Sequence, residues 1–163
     1  MAGFTIERVA ELAGASKMTI YKWWPSKGVL ALEAYAASVD GVLAVPDTGH
    51  IRADLTAALT ALVGVLRNTS AGPISAELIG CAQTDPELAA EFRRIYLEPR
   101  RTAGITVLKA AQDRGEIRHD VDLEVLSDQL WGACMYRLLM GHQPLSEDFA
   151  RQLVRNLLGS VSA

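Results

Sequence analysis

The chain has 163 residues and a mass of 17.6 kDa, with half its residues apolar and 6% aromatic, enough for one ordinary domain or one domain with a small appendage. With 16 basic against 19 acidic residues the formal net charge is −3, which argues against a general nucleic-acid coat, and the apolar content excludes a disordered chain. The longest uncharged apolar stretch, Leu55 to Leu66, has 12 residues and is far short of a membrane span.

Apolar residues recur at three- and four-residue spacing and no segment alternates with period two, so the expected fold is all-α. Thr5 is a candidate N-cap for a first helix that carries Val9, Leu12 and Ala13 inward and stops at Gly14. Ser16 caps a second helix of about two turns, which must end at Trp24 because Pro25 disfavours helical geometry in the residue before it. Ser26 caps a third helix running to about Val42, and Pro46-Asp47-Thr48-Gly49 marks the clearest break in the chain. The expected division is therefore a head over residues 1–45 and a body over residues 46–163.

Five more helices are expected in the body. They run from about Ile51 to Arg67, from Pro73 to about Gln83, from the start signal Thr84-Asp85-Pro86-Glu87 to near Gly115 with a kink at Glu98-Pro99, from Asp120 or Asp122 to Gly141, and from Ser146 to the end. Glu7, Arg8 and Glu11 stand where the apolar core of a signal peptide would fall, and Cys81 and Cys134 lack the pairing of a zinc site or a secreted scaffold. A reducing cytoplasm is the expected location.

Charge is distributed unevenly. Residues 1–30 hold Arg8, Lys17, Lys22 and Lys27 against Glu7 and Glu11, whereas the remainder of the chain is net acidic. Three of the four lysines therefore sit in a short, basic head. Two helices joined by the tight turn Ala13-Gly14-Ala15-Ser16 make a helix-turn-helix, whose second helix can lie in the DNA major groove. Ile20 and Trp24 share one face of that helix and are expected to pack on Val9 and Leu12, which turns Lys17, Met18, Tyr21 and Lys22 outward.

Taken singly, each of these residues has a plainer explanation. A surface lysine is usually a solvated charge, Tyr21 and Trp23 suit a core, and Thr5 and Ser16 suit caps without a ligand. Those readings do not account for lysines collecting on one side of a short helix bounded by a glycine turn and a proline.

The string Phe4-Thr5-Ile6, Val9-Ala10, Ala13-Gly14-Ala15-Ser16-Lys17, Thr19-Ile20-Tyr21, Trp24-Pro25-Ser26-Lys27 and Val29-Leu30 resembles the head of the TetR-type transcriptional regulators. In the body, Asp85-Pro86-Glu87-Leu88, Pro99-Arg100-Arg101, Arg114-Gly115-Glu116-Ile117-Arg118 and Tyr136-Arg137-Leu138-Leu139 are similar to one of that family's ligand-binding domains, though this half is the less specific. The resemblance implies that Thr5, Ser16, Tyr21 and Lys27 contact phosphates of double-stranded operator DNA, and that Lys17, Met18, Thr19, Lys22 and Trp23 lie nearest base edges. Lys27 and the free N–H groups of its helix would share one phosphate.

In such a family the cavity for a small, largely apolar effector lies between body helices, which implies Leu78, Phe92, Tyr96, Thr106, Gln129, Trp131, Cys134 and Met135 as its lining; the same residues also describe an ordinary helical core. The resemblance further implies a homodimer through the last two helices, packed as a four-helix bundle by Leu126-Leu130-Leu138 and Phe149-Leu153-Leu157. A ligand that favours the wrong spacing of recognition helices would then release DNA.

Family members carry one more helix before the position of Thr5, whereas this sequence begins at Met1-Ala2-Gly3. The start then lies inside a longer reading frame, or the chain is truncated, or the helix has been lost. In the last two cases Val9, Leu12, Ile20 and Trp24 would be partly exposed, and a dimeric ligand-binding protein with weakened DNA binding becomes the alternative. No metal site is expected, because His50, His119 and His142 are far apart, and no cofactor or enzymatic centre is expected either. Cys81 and Cys134 read as small core residues, with redox sensing as the alternative.

Overall fold

The computed structural model describes residues 4–162, and within them every regular element is helical. The helices are α1 (Ile6–Ala13), α2 (Lys17–Trp23), α3 (Lys27–Val39), α4 (Ile51–Asn68), α5 (Ala71–Ala82), α6 (Pro86–Glu91), α7 (Glu98–Asp113), α8 (Leu123–Met140) and α9 (Glu147–Val161), with a π-helical segment, Phe92–Leu97, joining α6 to α7. The expectation about a helix ahead of Thr5 lies outside the described residues.

Capping side chains set most of the boundaries. Thr5, Ser16, Ser26, Asp85, Asp122 and Ser146 each accept a hydrogen bond from a backbone N–H of the first turn they precede. Gly14 and Gly141 end α1 and α8 in the left-handed conformation that a side chain would strain. The α4 start is different, because His50 makes no side-chain cap. Instead Glu116, just beyond the C-terminus of α7, accepts the Ile51 N–H at 2.8 Å. Burial works against its charged form, but the Ile51 N–H and the Arg114 guanidinium outweigh it and hold the carboxyl below the usual carboxylate range.

Two boundaries differ from the sequence expectation. Helix α3 stops at Val39 rather than near Val42, where Gly41 takes a positive φ of 73°. Helix α5 starts at Ala71, so the expected loop shrinks to Thr69 and Ser70. This tight corner depends on Gly72, whose absent Cβ would stand 2.0 Å from the Leu66 carbonyl oxygen. The expected irregularity at Glu98-Pro99 is a π-helical stretch ending just before the proline. Pro99 has no N–H and its ring would crowd the carbonyl four residues back, and a widened turn relieves both.

Apolar burial falls into three clusters. A small one in the head is built from Ile6, Ala10 and Ile20, with Val9, Ala15, Trp24 and Leu30 partly buried against it. The largest lies in the body, where Leu55, Leu59 and Val63 of α4 meet Val107 and Leu108 of α7, Leu126, Leu130 and Cys134 of α8, and Val154 and Leu158 of α9. Between them Val29, Leu32, Tyr35 and Val39 of α3 pack on Ala71, Leu78 and Leu88. Helix α3 thus leaves the head and is clasped by the body.

Ala13 and Leu12 are corrections to the expected inward stripe: Ala13 is exposed, and Leu12 is 72% exposed. Six residues beyond Ile6, it is turned through 240° and falls off the Ile6–Ala10 face. Ile20 is buried, and Val9 and Trp24 are half-buried.

Candidate nucleic-acid interface

Helix α2 is short, and its two faces are chemically opposite. Ile20 is buried on Ile6 and Ala10, while Lys17, Met18, Thr19, Tyr21, Lys22 and Trp23 are all exposed, Met18 by 84% and Trp23 by 69%. Two large apolar side chains standing this far in water are unusual on a seven-residue helix, because burying either would be favourable. Among the described residues Lys22 makes no ion pair.

The two ends of α2 are fixed. The Ser16 hydroxyl accepts the Thr19 N–H at 3.0 Å and lies 2.9 Å from the Thr19 hydroxyl. At the other end Trp24 is extended, as Pro25 requires, and its indole N–H donates to Glu33 of α3 at 2.8 Å. That bond ties the end of α2 to α3, and nothing in the sequence announced it. Thr5 accepts the Arg8 N–H at 3.2 Å, so the hydroxyls of Thr5 and Ser16 both work as caps on the rim of this face. Lys27 lies 6.0 Å from the centre of the Phe4 ring.

Lys17 is engaged rather than free. Its ammonium donates to the Glu7 carboxylate of α1 at 2.6 Å. That hydrogen bond, with one from the Glu7 backbone, holds the carboxyl below the usual carboxylate range. The surface therefore carries apolar, aromatic and cationic groups side by side, with one lysine already neutralised by a carboxylate. Phosphates demand cations and the groove floor demands hydrogen bonds and methyl contacts, and this face offers all of these.

The residues expected to line an effector cavity fall into two groups. Leu78 is fully buried at the α3 junction, with Phe92 and Tyr96 partly buried against it. Cys134 is fully buried in the body core, and Trp131 and Met135 pack against its edge. Burial pushes the Cys134 thiol up to about 12 and raises the Tyr96 phenol as well, so both stay protonated at neutral pH. Thr106 is exposed, with its hydroxyl donating to the Thr102 carbonyl at 2.9 Å, and Gln129 is exposed as well.

Two of the residues expected to join two copies need correcting. Leu126 and Leu130 are wholly buried in this chain's own core, whereas Leu138, Phe149, Leu153 and Leu157 are only partly buried against it. The reason is that apolar side chains fall on both the inner and the outer face of α8, so the two faces are not told apart by pattern. Its exposed apolar side chains are Val125, Tyr136, Leu139 and Met140.

A capped helix-turn-helix on an all-helical body defines a class of DNA-binding regulators, and the comparisons narrow it. Residues 45–157 match the family described as Tetracyclin repressor-like, C-terminal domain. The chain is 35% identical over 159 residues to the uncharacterized HTH-type transcriptional regulator YdeS of Bacillus subtilis (strain 168), covering 98% of this chain and 80% of the relative. It is 34% identical over 161 residues to the DNA-binding transcriptional repressor TetR of Mycobacteroides abscessus, covering 95% and 81% respectively. The crystal structure of the TetR family transcription regulator SCO0332 superposes with a TM-score of 0.91 at 50% identity, over 99% of this chain and 89% of that one. The chain belongs to the TetR family of transcriptional regulators.

Proposed function

We propose that this chain is a repressor that binds double-stranded operator DNA as a homodimer, with α2 in the major groove. The observation that carries this is the exposed face of α2, where Lys17, Met18, Thr19, Tyr21, Lys22 and Trp23 stand together in water. Lys22 and Lys17 approach base edges, Met18 meets a thymine methyl, and Thr5, Ser16, Tyr21 and Lys27 hold phosphates on either side. One seven-residue helix reads too few base pairs for useful selectivity, so two copies read half-sites about 34–36 Å apart.

The pairing surface is the outer face of α8, where Val125, Tyr136, Leu139 and Met140 are exposed, with the neighbouring edge of α9. The effector is small and largely apolar, and it enters between the body helices near Leu78, Phe92, Tyr96, Trp131, Cys134 and Met135, with Thr106 and Gln129 at the outer edge. It and the operator weaken each other's binding by the same factor. Two free thiols, one fully buried, suit a reducing cytoplasm.

The test is selection from a random duplex library with the full chain, followed by fluorescence anisotropy at several salt concentrations. One enriched sequence with a two-fold repeat is expected, and log affinity should fall with log salt at about 0.9 per phosphate held. Failure to enrich any sequence, or binding indifferent to salt, would sink the proposal.

A further inference from the structure

Helix α3 is the only described element that runs from the head into the body, and the consecutive run of α6, the π-helical segment and the start of α7 lies along it. At its start Gly28 meets Leu88 of α6, so closely that a Cβ would stand 3.0 Å from the leucine Cδ2. Farther along, the Tyr35 and Tyr96 rings lie 5.2 Å apart with their hydroxyls at 3.4 Å, and the Phe92 ring lies tilted against Tyr96 at 5.2 Å. At its end the Arg100 guanidinium of α7 lies over the Tyr96 ring, 4.2 Å from its centre. One arm of its guanidinium donates to the Tyr96 carbonyl at 3.3 Å, and the other donates to the Ala36 carbonyl of α3 at 3.5 Å and lies 3.9 Å from Asp40.

The Ala36 carbonyl needs such a partner. In the last turn of α3 the Asp40 N–H bonds to Ala37 rather than to Ala36, which leaves the Ala36 oxygen among the orphan acceptors of a helix C-terminus. A cation there is also favoured by the helix dipole. The guanidinium reaches it because of the π-helical segment just upstream. There the Glu98 N–H bonds five residues back, to Arg93, and the extra residue in that turn rotates everything beyond it by about 100° relative to an unbroken α-helix.

We infer that Arg100, aimed by the π-helical turn Phe92–Leu97 and lying over Tyr96, is a positioning residue that fixes the tilt of the DNA-binding head on the body, and with it the half-site spacing the dimer accepts. This rests on the dimeric operator reading proposed above. Without Arg100 helix α3 keeps its apolar packing on Leu78 and Leu88 but loses the guanidinium arm that reaches the Ala36 carbonyl and Asp40 at its C-terminus. The head then samples a wider range of tilts.

The test compares the full wild-type chain with Arg100→Ala and Arg100→Lys on the selected operator and on versions whose centre is one base pair longer or shorter. Thermal unfolding and sedimentation of each variant establish that it is folded and paired. The wild type is expected to lose affinity steeply on either respaced duplex. For Arg100→Ala, affinity on the selected operator should fall roughly tenfold, within the range seen for residues that couple two parts of a protein, while the penalty for respacing shrinks. Arg100→Lys keeps the charge but not the planar guanidinium or its two-armed geometry, so it should shrink the penalty too, by less. It serves as the test if Arg100→Ala does not fold. An equal loss on all three duplexes would mean that Arg100 only stabilises the fold, and an unchanged penalty in a folded variant would overturn the clamp as well. A wild type indifferent to spacing would overturn the dimeric reading, and the clamp with it.

Discussion

Replacing Glu7 by glutamine should make the protein bind DNA more tightly and more salt-sensitively. In the free protein the Lys17 ammonium sits 2.6 Å from the Glu7 carboxylate, so one of the cations on the recognition face is neutralised before DNA arrives. Both groups are more than half exposed, so the pair adds little to folding and its loss should leave thermal stability nearly unchanged. Its effect on DNA is larger in kind. Glutamine frees Lys17 to enter the groove and removes a negative charge beside the phosphates. One added contact steepens the log–log salt slope by up to about 0.9, so raising salt from about 50 to about 200 mM costs the variant a further factor of about 3.5. The variant therefore gains most at low salt, and its advantage fades as salt rises. Fluorescence anisotropy on the selected operator at four or five salt concentrations measures the slope directly. An unchanged slope, or a shallower one, would refute the reasoning, because Glu7 would then be aiming Lys17 rather than competing for it. The pH dependence follows from the sign of the shift. A carboxyl whose pKa is depressed by folding contributes above its unfolded value near 4.5, and the contribution is lost as pH falls through the lower folded value. The wild type and Glu7→Gln should thus differ throughout the neutral range and converge only in acid.

Lys22→Ala should weaken operator binding by about 1–3 kcal/mol and relax base preference at one position of each half-site; a uniform loss across sequences, seen by competition with mutated duplexes, would make it a phosphate contact instead. Gly72→Ala should be strongly destabilising in urea denaturation, since its Cβ would lie 2.0 Å from the backbone oxygen of Leu66, whereas Gly64→Ala, with open space around it, should stabilise α4 by up to about 1 kcal/mol. Equal effects of the two would contradict the close approach of α4 and α5. Thiol reagents at neutral pH should modify Cys81 and spare Cys134 until the chain unfolds, because burial holds the Cys134 thiol up to about 12. Mass spectrometry finding Cys134 labelled first in native buffer would contradict that burial.

Ends of helices were the most legible part of the sequence because their chemistry is local. Ser16, Ser26, Asp85 and Ser146 cap from their own positions, so the residues that mark an end also make it. Ends made by distant partners were not legible. The α4 N-terminus depends on Glu116, 65 residues away, and the α3 C-terminus on Arg100. Helix faces were legible only where polar and apolar sides contrast. On α2 the buried Ile20 opposes two lysines and the outward face follows, whereas on α8 Leu126 and Leu130 turn inward and Val125, Tyr136 and Leu139 outward with no difference in residue type to announce it. Leu12 shows the same difficulty on a shorter scale, since eight residues give too few turns to fix a stripe. The chemistry of the recognition face was readable from spacing, but the Glu7–Lys17 pair across α1 and α2 needed the angle between two helices.

Hydroxyl-radical footprinting of the full chain on its selected operator tests the central claim most directly. Two protected patches on one face of the duplex, centred one helical turn apart and both lost in Lys22→Ala at moderate salt, are the predicted result for a dimer reading with paired α2 helices. A single patch, or a paired footprint that Lys22→Ala leaves intact, would contradict it.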